Sequence, residues 1–414
     1  MTMRAAQAGK VARRRVFYIP GYDPFPPRRY RELYRNEAAR QAGISGYTIA
    51  LLPGGGQAPD WQVTAEMDGA RSEAAIEVLV WSDIVQESMS HSIAGTYAQL
   101  LRTAWVYIST GALFRLMRLR KGPVIAGFYP VAMLLAELAL ALAAAWLAMT
   151  AAARLWALAG GAEGWGALAG VMPGVLAGWA VLAWFRARDG KLFAYYLMHD
   201  LAFSARQRGA TPPALEARLA DFADRIAEAL AEDVDEVLVV GHSSGAHLAV
   251  SALAEVIRQG RVPADGSALS FLSLGQVVPM VSFLPGADRL RADLAFLSAR
   301  AEITWVDVSA PGDGCSFALC DPVAVSGVAP PGKRWPLVIS AAFTRTLSPD
   351  RWKALRWRFF RLHFQYLCAF DRPGDYDYFR ITAGPKTLAQ RFAGRRPSRS
   401  RIERAVSGYR GRAA

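Results

Sequence analysis

The chain has 414 residues, 53% of them hydrophobic, and a formal net charge of +13 at pH 7. That length allows a sizeable core plus an insertion, the apolar excess points to a membrane segment, and the positive charge suits an anionic surface. Three cysteines, Cys315, Cys320 and Cys368, are too few for a disulfide framework or a structural zinc site, so a reducing compartment and no metal are expected.

The first fifteen residues are basic and lack an apolar core before Val16, so no cleavable leader is expected. Arg15–Gly21 (RVFYIPG), Tyr47–Leu52 and Ala75–Trp81 read as strands, being short, apolar and rich in β-branched or aromatic residues. Trp61–Met67 carries a fainter strand pattern. A helix between the first two strands ends near Gly43, and a long helical run is expected from about Ser92 to Arg118. The glycine loop Pro53–Gln57 lacks the lysine and hydroxyl of a P-loop and the spacing of a dinucleotide site, so it reads as a turn.

Two apolar blocks follow. Val124–Ala153 has Glu137 as its only charge, and Trp165–Phe185 has none. A helix needs about 20 residues to cross the hydrocarbon core, and both blocks reach that length. They read as a transmembrane hairpin joined by a glycine-rich turn that carries Arg154 and Glu163. Arg115, Arg118, Arg120 and Lys121 precede the first helix, and Arg186, Arg188 and Lys191 follow the second. The positive-inside rule places both flanks in the cytoplasm. Glu137 sits where a carboxylate is expensive and is given a packing role, and Pro130 and Pro173 are expected to kink the helices.

In the second half, Thr211 is a candidate N-cap for an amphipathic helix with Leu215, Leu219, Phe222, Ile226 and Leu230 on one face. The strand Val234–Val240 follows, then Gly241-His242-Ser243-Ser244-Gly245, then a helix through Gln259. Two more strands (ALSFLSLG and EITWVDVS) are separated by a helix from about Ala287 to Arg300. This alternation predicts an α/β fold with a mostly parallel sheet, helices on both faces, and a site at the carboxyl ends of its strands. The segments divide as 1–122 and 188–390 for the two parts of the core, 123–187 for the hairpin, and 391–414 for a basic tail expected to be disordered and to lie on anionic lipid. The run RWKALRWRFFRLHF mixes arginines with aromatics. With no nucleic-acid motif present, it reads as a helix lying against a bilayer surface.

Gly241-x-Ser243-x-Gly245 between a strand and a helix is a nucleophile elbow: the serine is forced into a sharp turn, and the residues two before and two after it must be small. In both soluble parts the chain resembles the α/β-hydrolases, the lipase and esterase group in particular. The resemblance implies an order of serine, acid, histidine. Of the five histidines, His91 and His199 precede the serine, His242 adjoins it and is expected to point elsewhere, and His247 lies on the elbow helix. His363 is therefore the expected base. The resemblance implies an acid in a turn after a strand, for which Asp313, in the turn APGDGC, is the favoured candidate, with Asp321 next in line and Asp307 still inside its strand. The resemblance further implies an oxyanion hole from the amides of Ser244 and Tyr22, although Pro20 stands where many lipases have histidine. The expected activity is serine hydrolysis of an ester or thioester of a lipid-like or acylated substrate at the bacterial inner membrane, with the bilayer as partner and no cofactor. A membrane scaffold of the same fold without turnover is the alternative.

Overall fold

The computed structural model of the chain describes residues 10–52, 60–90, 92–162 and 164–412. The loop Pro53–Gln57, His91 and Glu163 lie outside the described residues. The first element is β1 (Arg13–Ile19), followed by α1 (Arg28–Ser45), β2 (Thr48–Leu52), β3 (Asp60–Met67) and β4 (Ala70–Val78). Asp68 and Gly69 both take positive φ, 53° and 68°, so β3 and β4 are joined by a two-residue turn whose twist matches the strands it connects. Where one long helical run was expected, α2 (Ile93–Ser109) and α3 (Ala112–Leu119) are separated by Gly111, at φ 69°. Then come α4 (Lys121–Leu158), α5 (Gly166–Ala187), α6 (Ala194–Arg206) and α7 (Pro213–Leu230), the last capped at Pro212 rather than Thr211. The chain continues through β5 (Glu236–His242), α8 (Gly245–Arg258), β6 (Ala268–Leu274), α9 (Asp288–Ala299), β7 (Ile303–Ser309), β8 (Leu337–Ser340) and α10 (Phe359–His363).

The eight strands form one mixed sheet in the order β2-β3-β4-β1-β5-β6-β7-β8. The β2–β3 and β3–β4 pairs are antiparallel; every pair from β4 across to β8 is parallel. Trp61, Val63, Ala65 and Met67 alternate with more open residues along β3, as one covered face requires, whereas all seven residues of β5 are buried. Register aligns the carboxyl ends: Ile19 pairs Gly241, His242 pairs Leu274, Leu274 pairs Val308, and Ser309 pairs Ser340. The loops after β1, β5, β6, β7 and β8 therefore leave from one edge of the sheet.

A buried ion pair ties the ends of the chain together. Arg14 Nε lies 2.6 Å from Glu236 Oε2, directly across the β1–β5 pair, and Arg14 also donates to the carbonyls of Gly384 and Lys386. Glu236 Oε1 accepts from the Ser270 hydroxyl and the Leu388 amide. Every polar atom that the pair brings into the core thus has company, which is the condition for tolerating buried charge.

The C-terminal tail is held in place rather than disordered. Ser398 N donates to Val338 O at 2.9 Å, Ile402 N to Leu319 O at 2.7 Å, and Val406 N to Val325 O at 2.9 Å. Ile402 and Val406 interrupt the run of arginines. Main-chain bonds to distant segments fix what composition alone marks as solvated.

The chain divides into two compact units: Met1–Gln86, Tyr107–Ala126 and Gln207–Ala414, which carries the sheet, and Glu87–Val106 with Gly127–Arg206, which is helical. The helical unit is larger than the hairpin expected over 123–187, because α6 and most of α2 pack with α4 through Leu100, Leu134, Ala194, Tyr195 and Met198. Here α4 spans 38 residues and α5 spans 22, both long and apolar enough to cross a membrane. Gly170, Gly174 and Gly178 form a small-residue stripe on α5. A Cβ on these three would stand 2.5 Å from Met149 O, 2.9 Å from Ala145 O and 3.2 Å from Ala141 O of α4. The helices therefore touch backbone to backbone, the arrangement that packs helices in lipid. Glu137 is buried on α4, and neither carboxyl oxygen meets a donor among the described residues.

Candidate active site

The turn between β5 and α8 forms because its glycines are the only residues that fit. A Cβ on Gly245 would stand 2.1 Å from Ile19 O and 2.6 Å from Pro20 O; one on Gly241 would stand 2.7 Å from Ala246 Cα. Between them Ser243 adopts φ 57°, a left-handed conformation that costs a side-chain-bearing residue about 1–3 kcal/mol. Its amide is bonded to Leu274 O at 2.9 Å, which anchors the turn to the end of β6. The serine is half-buried at the carboxyl edge of the sheet. Ser244 begins α8, and its amide donates to no group among the described residues. The loop after β1 lies against the serine: a Cβ on Gly21 would stand 3.0 Å from Ser243 Cβ and 3.4 Å from its Oγ. Tyr22 follows, with a buried side chain whose hydroxyl donates to Val85 O at 3.4 Å.

Asp313 and His363 meet at the same edge. His363 ends α10, and its Nδ1 lies 2.8 Å from Asp313 Oδ2. Asp313 sits in the turn after β7, closed by its own amide on Ala310 O at 2.9 Å. Two further donors fix its carboxylate: the Tyr366 hydroxyl at 3.0 Å on Oδ2 and the Cys315 amide at 2.9 Å on Oδ1. Burial by itself would raise the Asp313 carboxyl; the adjacent His363 ring and the hydrogen bonds from His363 and Cys315 outweigh it and hold the group below the usual carboxylate value. With Asp313 ionised, the Nδ1–H of His363 is the donor to its carboxylate. The His363 Nε2 is buried and makes no hydrogen bond, to the serine or to any other described residue. The ring is near the β6 end, since a Cβ on Gly275 would stand 3.1 Å from His363 Cε1.

The structure corrects one expectation. His242 does not point away from this cluster. Its ring centroid lies 4.7 Å from that of His363, and its Nε2 is 3.0 Å from the His363 carbonyl oxygen. Burial, with His363 beside it, pushes His242 down to about 3. It is neutral at pH 7, and its Nε2–H donates to that carbonyl. The other candidate acids are engaged elsewhere. Asp307 accepts from the Ser273 hydroxyl at 2.6 Å, and Asp321 caps a short helix at the Val323 and Ala324 amides with Lys333 Nζ 2.5 Å from its Oδ2.

Tyr366 was not anticipated. Its hydroxyl donates to Asp313 and accepts from the Ala310 amide at 2.9 Å, tying the acid to the end of β7. The signal was its place three residues after His363, one helical turn along. Among the described residues, Asp313, Cys315 and His363 are the one group whose metal-ligand atoms lie within 4.8 Å of one another. Compared with protein-family models, with curated proteins and with solved structures, the chain matches none.

Proposed function

We propose that the chain is a membrane-anchored serine hydrolase of α/β-hydrolase type that cleaves an ester or thioester of a lipid-like or acylated substrate. One observation carries this reading: a serine at φ 57° in a strand-to-helix turn shares a sheet edge with an Asp313–His363 pair whose outer nitrogen is unengaged. Ser243 Oγ attacks the acyl carbon while His363 Nε2 takes its proton. The Ser244 amide, at the start of α8, and the Tyr22 amide receive the oxyanion. His363 then returns the proton to the leaving alcohol or thiol, and water repeats the cycle to release the acid. Asp313 keeps the imidazole in the required tautomer and stabilises its charged form.

The surroundings suit an amphiphilic substrate. Trp357, Phe359 and Phe360, just before His363 in the chain, are exposed among the exposed Arg356, Arg358 and Arg361. A Cβ on Gly314, beside Asp313, would stand 3.1 Å from the Phe359 ring. Exposed aromatics with arginines are the composition of a surface that rests on a bilayer. In this reading α4 and α5 cross the bacterial inner membrane and the sheet faces the cytoplasm, as the basic flanks direct.

A scaffold that has lost turnover is the second reading, favoured by the absence of a hydrogen bond between His363 Nε2 and Ser243. A fluorophosphonate probe separates the two. Labelling of the wild type that disappears in Ser243→Ala supports the hydrolase, and a folded wild type that takes no label supports the scaffold.

A further inference from the structure

We infer a second ligand site: an arginine-lined cavity at the β8 end of the sheet that binds the phosphate group of a phosphorylated ligand. The cavity measures about 810 Å³ and is lined by Arg345, Arg395, Arg396, Arg399 and Arg401, with no acidic residue in its wall. Arg395 pairs with Asp375 and Arg401 with Glu403, both outside the wall. Arg345, Arg396 and Arg399 face no carboxylate among the described residues, so positive charge accumulates uncompensated around one space.

Three arginines without a carboxylate partner, Arg345, Arg396 and Arg399, line a common space beside the paired Arg395 and Arg401, and an anion there relieves their mutual repulsion. A single carboxylate engages one or two of them. A phosphate, with up to two charges and three acceptor oxygens, matches several forks at once. The hydroxyls of Thr344 and Ser400 in the same wall add neutral donors.

The wall is built, not loose. Arginines 395–401 ride on the C-terminal segment, whose Ser398 amide is bonded to Val338 O of β8 and whose Arg401 amide is bonded to Ser398 O. Pro311 and Gly312, which immediately precede Asp313, also line the cavity. A phosphate bound here would rest against the loop that carries Asp313, yet the site stands whether or not the chain hydrolyses anything.

The test uses the full chain in neutral detergent and two probes, inorganic pyrophosphate and dihexanoyl phosphatidic acid, titrated calorimetrically. Arg345→Gln, Arg396→Gln and Arg399→Gln are combined in one variant. A control combines Arg404→Gln, Arg410→Gln and Arg412→Gln, which removes the same charge from exposed positions outside the wall. Saturable binding of at least one probe that weakens about tenfold or more in the cavity variant, and little in the control, sustains the site. Binding of phosphatidic acid alone then identifies a lipid headgroup; binding of pyrophosphate identifies a soluble phosphate. No saturable binding of either probe, or equal loss in both variants, overturns it.

Discussion

Tyr366→Phe removes one oxygen from the core and isolates the support of Asp313 from its chemistry. That hydroxyl is fully buried, donates to Asp313 Oδ2 at 3.0 Å and accepts from the Ala310 amide at 2.9 Å. Burial and the neighbouring Asp313 raise the phenol well above its ordinary value, so it is a donor at every working pH. A hydrogen bond to a charged group contributes about 1.5–3 kcal/mol, and an orphaned buried amide costs about 1–3 kcal/mol. The two overlap, so a loss of roughly 3 kcal/mol in stability is expected. The Asp313–His363 hydrogen bond survives, and with it the imidazole tautomer. Fluorophosphonate labelling should therefore slow by only about tenfold, or ~1.4 kcal/mol in the barrier. Asp313→Asn, which presents the wrong tautomer, should slow it by on the order of 10⁴. Labelling time courses and thermal unfolding of the three proteins give both readouts. If Tyr366→Phe labels and melts like wild type, or labels as slowly as Asp313→Asn, the reasoning is refuted.

Three other perturbations test separate parts of the account. Gly245→Ala drives a Cβ to 2.1 Å from the Ile19 carbonyl, a backbone atom that cannot swing away; it should destabilise by more than about 3 kcal/mol and abolish labelling, read by unfolding and by probe. Gly174→Leu places a side chain against Ala145 O at the α4–α5 contact and should lower the melting temperature in detergent while leaving the labelling rate of the remaining folded protein unchanged. Asp307 is pushed up to about 7 by burial, with Asp321 adding to the shift and the Ser273 hydrogen bond opposing it. An acid whose native value is raised loses its contribution as pH climbs from its unfolded value near 4 through its folded one. Melting temperatures measured from pH 4 to pH 8 should fall more for wild type than for Asp307→Asn, and parallel curves would count against the assignment.

Much of the geometry of the candidate site could be read from the chain because its constraints are local. The elbow needs small residues at fixed offsets from Ser243, and Gly241 and Gly245 supply them. The turn APGDGC announces a loop after a strand, which is where Asp313 is found. What escaped was set by distant pairing. His242 follows β5 to its last residue, and nothing in its neighbours reveals that α10 will bring a carbonyl within 3.0 Å of its ring. The tail 391–414 has the composition of a solvated segment, yet the amides of Ser398, Ile402 and Val406 find carbonyls at 338, 319 and 325. The β3–β4 hairpin was missed for a different reason. Its Asp-Gly signal was present at 68–69, but the strand before it alternates weakly polar residues that dilute the pattern. The Gly170, Gly174, Gly178 stripe is present in the sequence at a four-residue spacing, but length and charge, which mark a membrane span, do not say which face of it meets a neighbour.

The account stands on Ser243 being the group that becomes acylated. Peptide mapping by mass spectrometry after treating the full chain with a fluorophosphonate measures this directly. One phosphonyl adduct on the peptide containing Ser243, absent when His363 is changed to Ala, is the predicted result. An adduct on another residue, or none on a protein shown to be folded, contradicts it.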